Sequence, residues 1–183
     1  MKILGLDEVG KGSLAGPLGV CGLILHDDMP QSLLDKIKDS KKLSPKKREE
    51  MFKEIPKYSD FEIELVSSYE IDKHGILVVQ KQAMFKIIMK LKADKIIFDG
   101  NWNPFPDVSN FETCIRGEDF HKEIAAASIM AKVARDRYMV IMEDKYPGYG
   151  FAKHKGYGTK EHRDAIHNLG FCSIHRKSWN IKY

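Results

Sequence analysis

Two short apolar segments at the start of the chain place the strongest constraint on its fold. Residues 1–8 (MKILGLDE) and 18–26 (LGVCGLILH) carry the apolar runs expected of short β-strands. The Gly and Pro residues of the intervening segment GKGSLAGP predict a turn between them. The chain is therefore expected to contain a β-sheet that includes this pair of strands.

The rest of the chain alternates between strand-like and helix-like patterns. Ser44 and Pro45 provide a capping hydroxyl and a first-turn proline, and so predict the start of a helix. The predicted helices are 46–55, 70–92, 121–146 and about 160–169, and the predicted strands after the first two are 61–68, 95–100 and 111–117. The helix 121–146 has a small-residue face suited to close packing, formed by Ala125, Ala127, Ser128, Ala131 and Ala134. These elements predict a single α/β domain over residues 1–183, with helices packed on a mixed sheet.

The composition is that of one soluble domain. The chain has 183 residues, of which 43% are hydrophobic and 31% charged. No apolar run approaches the roughly 18 residues of a membrane span, and Asp7 and Glu8 interrupt the position where a secretory signal would continue. Cys21, Cys114 and Cys172 fit neither a disulfide framework nor a zinc site. We therefore expect a cytoplasmic protein with free thiols and no membrane partner.

Positive charge is concentrated in two segments. The formal net charge is +4, and residues 36–53 and 153–177 are both rich in basic side chains. Two basic segments that are far apart in sequence could converge on one polyanion. A solvated surface that happens to be rich in lysine is the alternative interpretation.

The segment GLDEVGKGS (residues 5–13) has the spacing of a phosphate-binding loop but lacks its chemistry. Gly12 stands where that loop needs a Ser or Thr to bind magnesium. The residues that follow do not have a helical pattern, so no helix N-terminus would face the phosphates. The adjacent acids Asp7 and Glu8 would repel a triphosphate. The sequence therefore disfavours a nucleotide-binding loop.

Acids occur where predicted strands end. Asp7 and Glu8 end the first strand, Asp99 ends the apolar strand KIIFDG, and Glu118 and Asp119 precede the long helix. An acid at such a position either lies in a solvated turn or lines a site. Carboxylate oxygens are the ligands that Mg²⁺ prefers. A metal site is therefore the functional interpretation, and solvated turn residues are the alternative.

The order of the motifs resembles that of the ribonuclease HII family. Five segments match the family's motifs in order between residues 3 and 179: LGLDEVGKGSLAGP, DSKKLS, FDGN, AAASIMAKVARDRYM and HKGYGTKEH…LGFCSIHRKSW. The resemblance implies an RNase H-like fold and hydrolysis of the RNA strand of RNA–DNA hybrids, with two Mg²⁺ or Mn²⁺ ions in the active complex. It also implies nicking on the 5′ side of ribonucleotides embedded in duplex DNA. We expect the protein to be a monomer.

The resemblance further implies a set of catalytic, metal-binding carboxylates. Asp7, Glu8 and Asp99 match three of the family's four acids. The fourth is usually an Asp in a Lys-Gly-Asp triplet, ten residues before the Ser of an Ala-Ala-Ser motif. In this chain that position holds Glu118, within Arg-Gly-Glu, and Asp119 follows it. The register favours Glu118, with Asp119 as the alternative.

The resemblance also implies substrate contacts. Gly10-Lys11-Gly12 matches the family's Gly-Arg-Gly, whose backbone reads the ribose 2′-hydroxyl. Tyr157 matches the tyrosine that stacks on the sugar after the ribonucleotide, with a partly buried loop aromatic as the alternative. Five further residues fall in family segments near the substrate backbone, with phosphate contact expected: Ser40, Lys41, Lys42, His175 and Arg176. Residues from about 145 to 183 would form a small helical, substrate-binding C-terminal part.

Lys11 raises an alternative within the same class of enzyme. Lysine at this position resembles the sister family, ribonuclease HIII, which would act on longer RNA stretches. That family usually carries an extra N-terminal domain, for which the position of Asp7 leaves no room in this sequence. A hybrid-binding module that has lost catalysis is a further alternative, and the intact acids argue against it.

Overall fold

A five-stranded mixed sheet forms the centre of the protein in the computed structural model, which describes residues 1–38 and 40–180. Its strands are β1 (Ile3–Val9), β2 (Leu18–Leu25), β3 (Ser59–Val66), β4 (Lys95–Asp99) and β5 (Phe111–Cys114). Their order across the sheet is β3-β2-β1-β4-β5. The first three strands pair antiparallel, whereas β1, β4 and β5 run parallel. The predicted strand pair at the start of the chain is confirmed.

Helices lie on both faces of this sheet, which confirms the predicted fold class. They are α1 (Gln31–Leu34), α2 (Pro45–Glu54), α3 (Ser68–His74), α4 (Ile76–Leu91), α5 (Lys122–Lys145), α6 (Phe151–His154) and α7 (Lys160–Leu169). Helix α2 begins as predicted, because Ser44 Oγ accepts a hydrogen bond from the Lys47 N–H and Pro45 fills the first turn.

The prediction of one continuous helix over residues 70–92 was wrong. Gly75 lies between α3 and α4 with a φ of +84°, in the left-handed region that ends a helix. The N–H of Gly75 donates to the Ile71 carbonyl and closes the first helix. Helical residues on both sides of the glycine gave the pattern of one long helix, so the break was not visible in the periodicity.

The hydrophobic core has a layer on each face of the sheet. On one face, β1 and β4 pack against α4, and on the other face α5 covers β1 and β2. Helix α5 approaches β1 very closely at Gly5, where an added Cβ would lie 2.4 Å from the backbone of Glu123 and of Ile124. The small-residue face of α5 therefore packs closely, as predicted. This contact fixes the position of α5 relative to the end of β1.

A third apolar cluster joins the C-terminal part to the rest of the protein. It contains Ala15, Met139, Tyr149, Phe151 and Ile174. Helices α6 and α7 belong to the segment that was predicted to bind substrate, of which residues 181–183 lie outside the described residues. Within the described residues, the three cysteines are free and no helix has the length and apolar character to span a membrane.

Candidate active site

Sheet topology brings Asp7 and Asp99 together. Strands β1 and β4 are parallel neighbours, and their last paired residues are Leu6 and Phe98. Asp7 and Asp99 follow directly on these two strands, so they end side by side at the same edge of the sheet. The 3₁₀ turn Gly117–Asp119, which follows β5, brings Glu118 to this edge. We call Asp7, Glu8, Asp99 and Glu118 the acidic edge.

Asp7 is the most deeply buried acid of this edge. The Ser128 hydroxyl on α5 hydrogen-bonds to its carboxylate, and the Ser40 and Ser128 hydroxyls lie 2.9 Å apart. Burial raises the pKa of Asp7 well above its usual value. The Ser128 bond opposes this shift, and the nearby charges of Glu8 and Asp99 add to it. Ionised Asp7 therefore carries an energetic cost that a nearby cation would relieve.

Asp99 and Glu118 share a hydrogen bond. The Gly117 N–H also donates to Asp99 Oδ1 at 2.8 Å and holds that carboxyl in place. Burial, followed by the bond with Glu118, raises the pKa of Asp99 to about 7, while the same bond lowers the pKa of Glu118. At neutral pH, protonated Asp99 can therefore donate to the Glu118 carboxylate. Two acids that share a proton are close enough to bind one cation between them.

The structure places Glu118 and Asp119 in different surroundings. Glu118 turns toward Asp99 and its side chain is 10% exposed, whereas Asp119 forms ion pairs with Lys42 and Arg116 on the outside of the turn. These two cations lower the pKa of Asp119. The geometry therefore favours Glu118 as the fourth acid, in agreement with the motif register.

Two carboxylate oxygens of the acidic edge have no protein partner. Glu8 Oε2 and Glu118 Oε2 are buried and make no hydrogen bond to the described residues. Burial raises the pKa of Glu8, and the ammonium of Lys11, 3.7 Å from Glu8 Oε1, opposes the shift. Buried carboxylate oxygens without partners are costly. They are consistent with ligands that await a cation.

The donor set of this edge fits Mg²⁺ or Mn²⁺. All four acids offer oxygen ligands, which both ions prefer. Within residues 1–38 and 40–180, no group of three His, Cys, Asp or Glu side chains has the arrangement of a formed metal site. The fit to these ions therefore rests on the chemistry of the four carboxylates.

A cavity of about 180 Å³ connects the acids to the C-terminal part. It is lined by Asp7, Glu8, Val9, Ser40, Lys41, Ser128, Lys132 and Tyr157. The half-buried Tyr157 ring lies close to two cations of α5, with Lys132 Nζ 5.5 Å and Arg135 Cζ 5.2 Å from its centroid. The structure thus places Tyr157 in the same cavity as Asp7 and Glu8, in contact with side chains of α5.

Sequence reasoning assigned no role to Lys132 or Arg135. Both lie on α5, four and seven residues after Ser128. Residues at these intervals share one face of a helix, so their spacing from the Ser of the motif was a usable signal. Lys132 lines the cavity, and Arg135 lies beneath the neighbouring loop.

Residues 10–17, which we call the reading loop, follow β1 and border the acidic edge. Two buried arginines hold the loop from inside the protein. Arg176 donates to the carbonyls of Gly10, Lys11 and Gly16, at 2.7, 2.8 and 3.1 Å. Arg135 donates to Ser13 Oγ and to the carbonyls of Ala15, Pro17 and Lys155. The loop is therefore firmly fixed without any substrate.

The expectation that His175 and Arg176 contact phosphates is corrected by their burial. Their exposed fractions are 1% and 0%, so neither side chain reaches the surface. Ser40 is 4% exposed and its hydroxyl faces Ser128, but it lines the cavity beside Asp7, so its contact with phosphate stays a prediction. Lys41 and Lys42 are exposed, with their ammonium groups next to Glu118 and Asp119, and their contact with phosphate also stays a prediction. Asp39, the first residue of the DSKKLS motif, lies outside the described residues.

Neutral imidazoles support Tyr157 from below. His162 Nδ1 lies 3.0 Å from the Tyr157 carbonyl and must donate to it, so His162 Nε2 accepts from His175 Nε2 at 3.1 Å. His175 Nδ1 in turn accepts from the Cys172 N–H at 2.9 Å. Burial lowers the pKa of both His162 and His175 to about 4. His175 is therefore a structural residue buried beneath Tyr157.

Comparison with known proteins points to one family. The family model of ribonuclease HII matches residues 4–182. A ribonuclease HII of Campylobacter hominis is 45% identical over 185 residues, which cover 100% of this chain and 96% of that protein.

Solved structures share the fold. The ribonuclease HII in the PCNA complex of Archaeoglobus fulgidus superimposes with a TM-score of 0.82 at 28% identity, covering 100% of this chain and 97% of that one. Bst-RNase HIII in complex with Mn²⁺ gives a TM-score of 0.70 at 17% identity and shares the fold, with 93% of this chain covering 63% of that chain. The central sheet and its helices are thus RNase H-like. The chain belongs to the ribonuclease HII family and is a ribonuclease H, a hydrolase of phosphodiester bonds.

Proposed function

We propose that the protein nicks duplex DNA on the 5′ side of an embedded ribonucleotide, and cleaves the RNA strand of RNA–DNA hybrids, leaving a 3′-hydroxyl and a 5′-phosphate. The observation that carries this proposal is the position of the acidic edge. Four carboxylates, two of them with unpartnered buried oxygens, lie beside the reading loop, and two of the four, Asp7 and Glu8, line a cavity with Tyr157. A site for phosphodiester hydrolysis thus adjoins a site suited to recognising a ribose.

The four acids have complementary roles in this proposal. Bound Mg²⁺ or Mn²⁺ would supply an activated water and neutralise charge on the leaving oxygen. Asp7 and Asp99 would hold the cations from the rigid strand ends, while Glu8 and Glu118 would complete the ligand set with their unpartnered oxygens. Ser128 and the Gly117 N–H fix two of these carboxylates before substrate arrives.

Substrate recognition would come from the groups around the acids. The reading loop presents backbone donors suited to a 2′-hydroxyl, the group that distinguishes RNA from DNA at one nucleotide. The Tyr157 ring would stack on the adjacent sugar. Exposed cations such as Lys41 and Lys42 would contact phosphates, so substrate affinity should fall steeply with salt.

A nicking assay tests the proposal. Three labelled duplexes of one sequence, with one, four or no ribonucleotides in the labelled strand, are incubated with Mg²⁺, Mn²⁺ or a chelator. We expect metal-dependent cleavage 5′ of the single ribonucleotide, with the product ends identified by mass spectrometry. Cleavage of the four-ribonucleotide duplex alone would instead support ribonuclease HIII-like specificity. Binding of these duplexes without cleavage in either metal would support a hybrid-binding module.

A further inference from the structure

The buried Arg176 guanidinium serves the reading loop through carbonyl groups alone. Its described hydrogen-bond partners are the carbonyls of Gly10, Lys11 and Gly16, and none of them is a carboxylate. Burial, and then the charge of Arg135, lower the pKa of Arg176 to about 9. A buried cation without an adjacent anion is costly. The fold nevertheless keeps one directly beneath this loop.

Peptide geometry shows what Arg176 does to the loop. In a trans peptide the carbonyl and the next N–H point in opposite directions, and the described residues contain no cis peptide. The Gly10 and Lys11 carbonyls point inward to Arg176. The N–H groups of Lys11 and Gly12 therefore point away from Arg176, and within the described part of the chain neither has a hydrogen-bond acceptor.

Gly12 leaves open space where these donors point. A Cβ added at Gly12 would meet no atom within 4 Å, and the residue is exposed. By contrast, a Cβ at Gly10 would lie 2.1 Å from Arg135 Nε. Packing within the protein thus requires a glycine at position 10 but not at position 12. The space outside Gly12 is available to a molecule that approaches the backbone closely.

We propose that Arg176 is a positioning residue for ribonucleotide recognition: by binding the Gly10 and Lys11 carbonyls, it aims the N–H groups of Lys11 and Gly12 at the ribose 2′-hydroxyl. This inference rests on the proposed function. It also gives a reason why lysine is acceptable at position 11. The Lys11 ammonium faces Glu8 and lies 5.8 Å from the Trp102 ring centroid. The Lys11 side chain therefore takes no part in the contact proposed for the Lys11 N–H.

Arg48 offers a matched control. It also donates to two loop carbonyls, those of Ser40 and Leu43, at 2.8 and 2.6 Å, but it does not contact the reading loop. Arg176→Lys and Arg48→Lys each keep the positive charge and lose the planar fork that binds several carbonyls. Only the first should alter how the protein distinguishes ribose from deoxyribose.

The test measures binding without cleavage. Fluorescence anisotropy in a chelator gives the Kd for a duplex with one ribonucleotide and for the same all-DNA duplex. We expect Arg176→Lys to lower the ratio of the DNA Kd to the ribonucleotide Kd by about fivefold, the effect of losing one neutral hydrogen bond. Arg48→Lys should leave the ratio within about twofold of wild type, a difference too small to represent a lost hydrogen bond. Thermal melting of both variants records their loss of stability separately.

The outcomes distinguish this inference from the proposed function. If wild type prefers the ribonucleotide duplex and Arg176→Lys keeps that preference, the inference is wrong while the proposed function stands. If wild type shows no preference, ribose recognition itself fails, and the inference with it.

A measurement on wild type covers the case in which Arg176→Lys does not fold. The NMR signals of the Lys11 and Gly12 amides should shift more with the ribonucleotide duplex than with the DNA duplex. Equal shifts with the two duplexes would overturn the inference.

Discussion

The acidic edge and the reading loop are neighbours that differ in how far the protein itself satisfies their polar groups. The carbonyls of Gly10, Lys11 and Gly16 are satisfied within the protein by Arg176. In the acidic edge, Glu8 and Glu118 each keep a buried oxygen without a described partner. The loop carbonyls are therefore satisfied before substrate binds, whereas the proposed cations would be needed to satisfy the edge. In the proposed function, the fold itself positions the loop for recognition, and catalysis depends on the bound cations.

The largest expected effect comes from a substitution in the acidic edge. Asp99→Asn should reduce metal-dependent nicking by at least about a thousandfold, since it removes a cation ligand from the reaction centre. It should not lower the melting temperature, because it also removes one negative charge from a crowded set of acids. Single-turnover cleavage and thermal melting measure the two effects.

Asp94→Asn is the control for that variant. Asp94 lies just before the opposite end of β4 and accepts a hydrogen bond from the Lys2 N–H at 2.7 Å. Its substitution should leave cleavage near the wild-type rate. Wild-type activity in Asp99→Asn would remove this residue from the proposed ligand set.

The next largest effect comes from a substitution in the reading loop. Gly10→Ala should lower the free energy of unfolding by about 2–4 kcal/mol, because the residue has a positive φ and no room for a Cβ. The φ is +79°, and the added atom would lie 2.1 Å from Arg135 Nε. Gly12→Ala should keep wild-type stability and weaken binding of the ribonucleotide duplex. Urea denaturation and anisotropy measure these two properties, and equal stability losses in both variants would contradict the contrast between the glycines.

A smaller effect separates two adjacent acids. Glu118→Gln should reduce nicking by about a hundredfold through loss of a cation ligand. Asp119→Asn should change it by no more than about threefold, because the ion pairs that it loses are close to solvent. Cleavage rates over a range of Mg²⁺ concentrations provide the comparison. The reverse order of effects would assign the fourth carboxylate to Asp119.

The smallest effect depends on pH and concerns the imidazoles below Tyr157. His162 and His175 have a pKa of about 4 in the folded protein, compared with about 6.5 when unfolded. The unfolded chain binds their protons first, so their contribution is fully present above pH 6.5 and is lost as the pH falls toward 4. We expect a loss of roughly 2 kcal/mol for each ring, after allowance for solvent near the cluster.

The pH prediction needs a control for other titrating groups. His154 stacks on His162 at 4.3 Å, Lys177 acts on His175 through its charge, and Cys172 lies beside His175. Urea denaturation at pH 7.5 and pH 5 is therefore compared between wild type and His162→Gln. The variant should be less stable at pH 7.5 and lose less stability on acidification. An equal loss in both proteins would rule out His162 as the source.

The sequence predicted those features that depend on local pattern. Strand-end acids, the Ser44 cap and the alternation of strands and helices all have short-range signals, and the structure confirms these elements. Glu118 was favoured by counting positions in a motif, and its contact with Asp99 supports that choice. The break at Gly75 was missed because both flanking segments have helical patterns.

Charged and polar residues in the interior were the main error. His175 and Arg176 were expected to contact phosphates because they fall in segments that match the family near the substrate backbone. The burial of Arg176 depends on loop carbonyls that need donors, and those carbonyls lie about 160 positions earlier in the chain. No local sequence pattern indicates that distant carbonyls need a hydrogen-bond donor. The Ser40 hydroxyl likewise makes a contact that no local pattern indicates, with Ser128 of α5, 88 positions away.

The contact at Gly5 has a consequence for the tolerance of the protein to mutation. An added Cβ would lie 2.4 Å from backbone atoms of α5. These backbone atoms cannot move aside as the end of a flexible side chain could. Any substitution at Gly5 must therefore push the helix that carries Ser128 away from the strand that carries Asp7. In a screen of random variants, position 5 should be as intolerant as the acids themselves. Such a screen would therefore group Gly5, which sets the distance between β1 and α5, with the residues proposed to bind the cations.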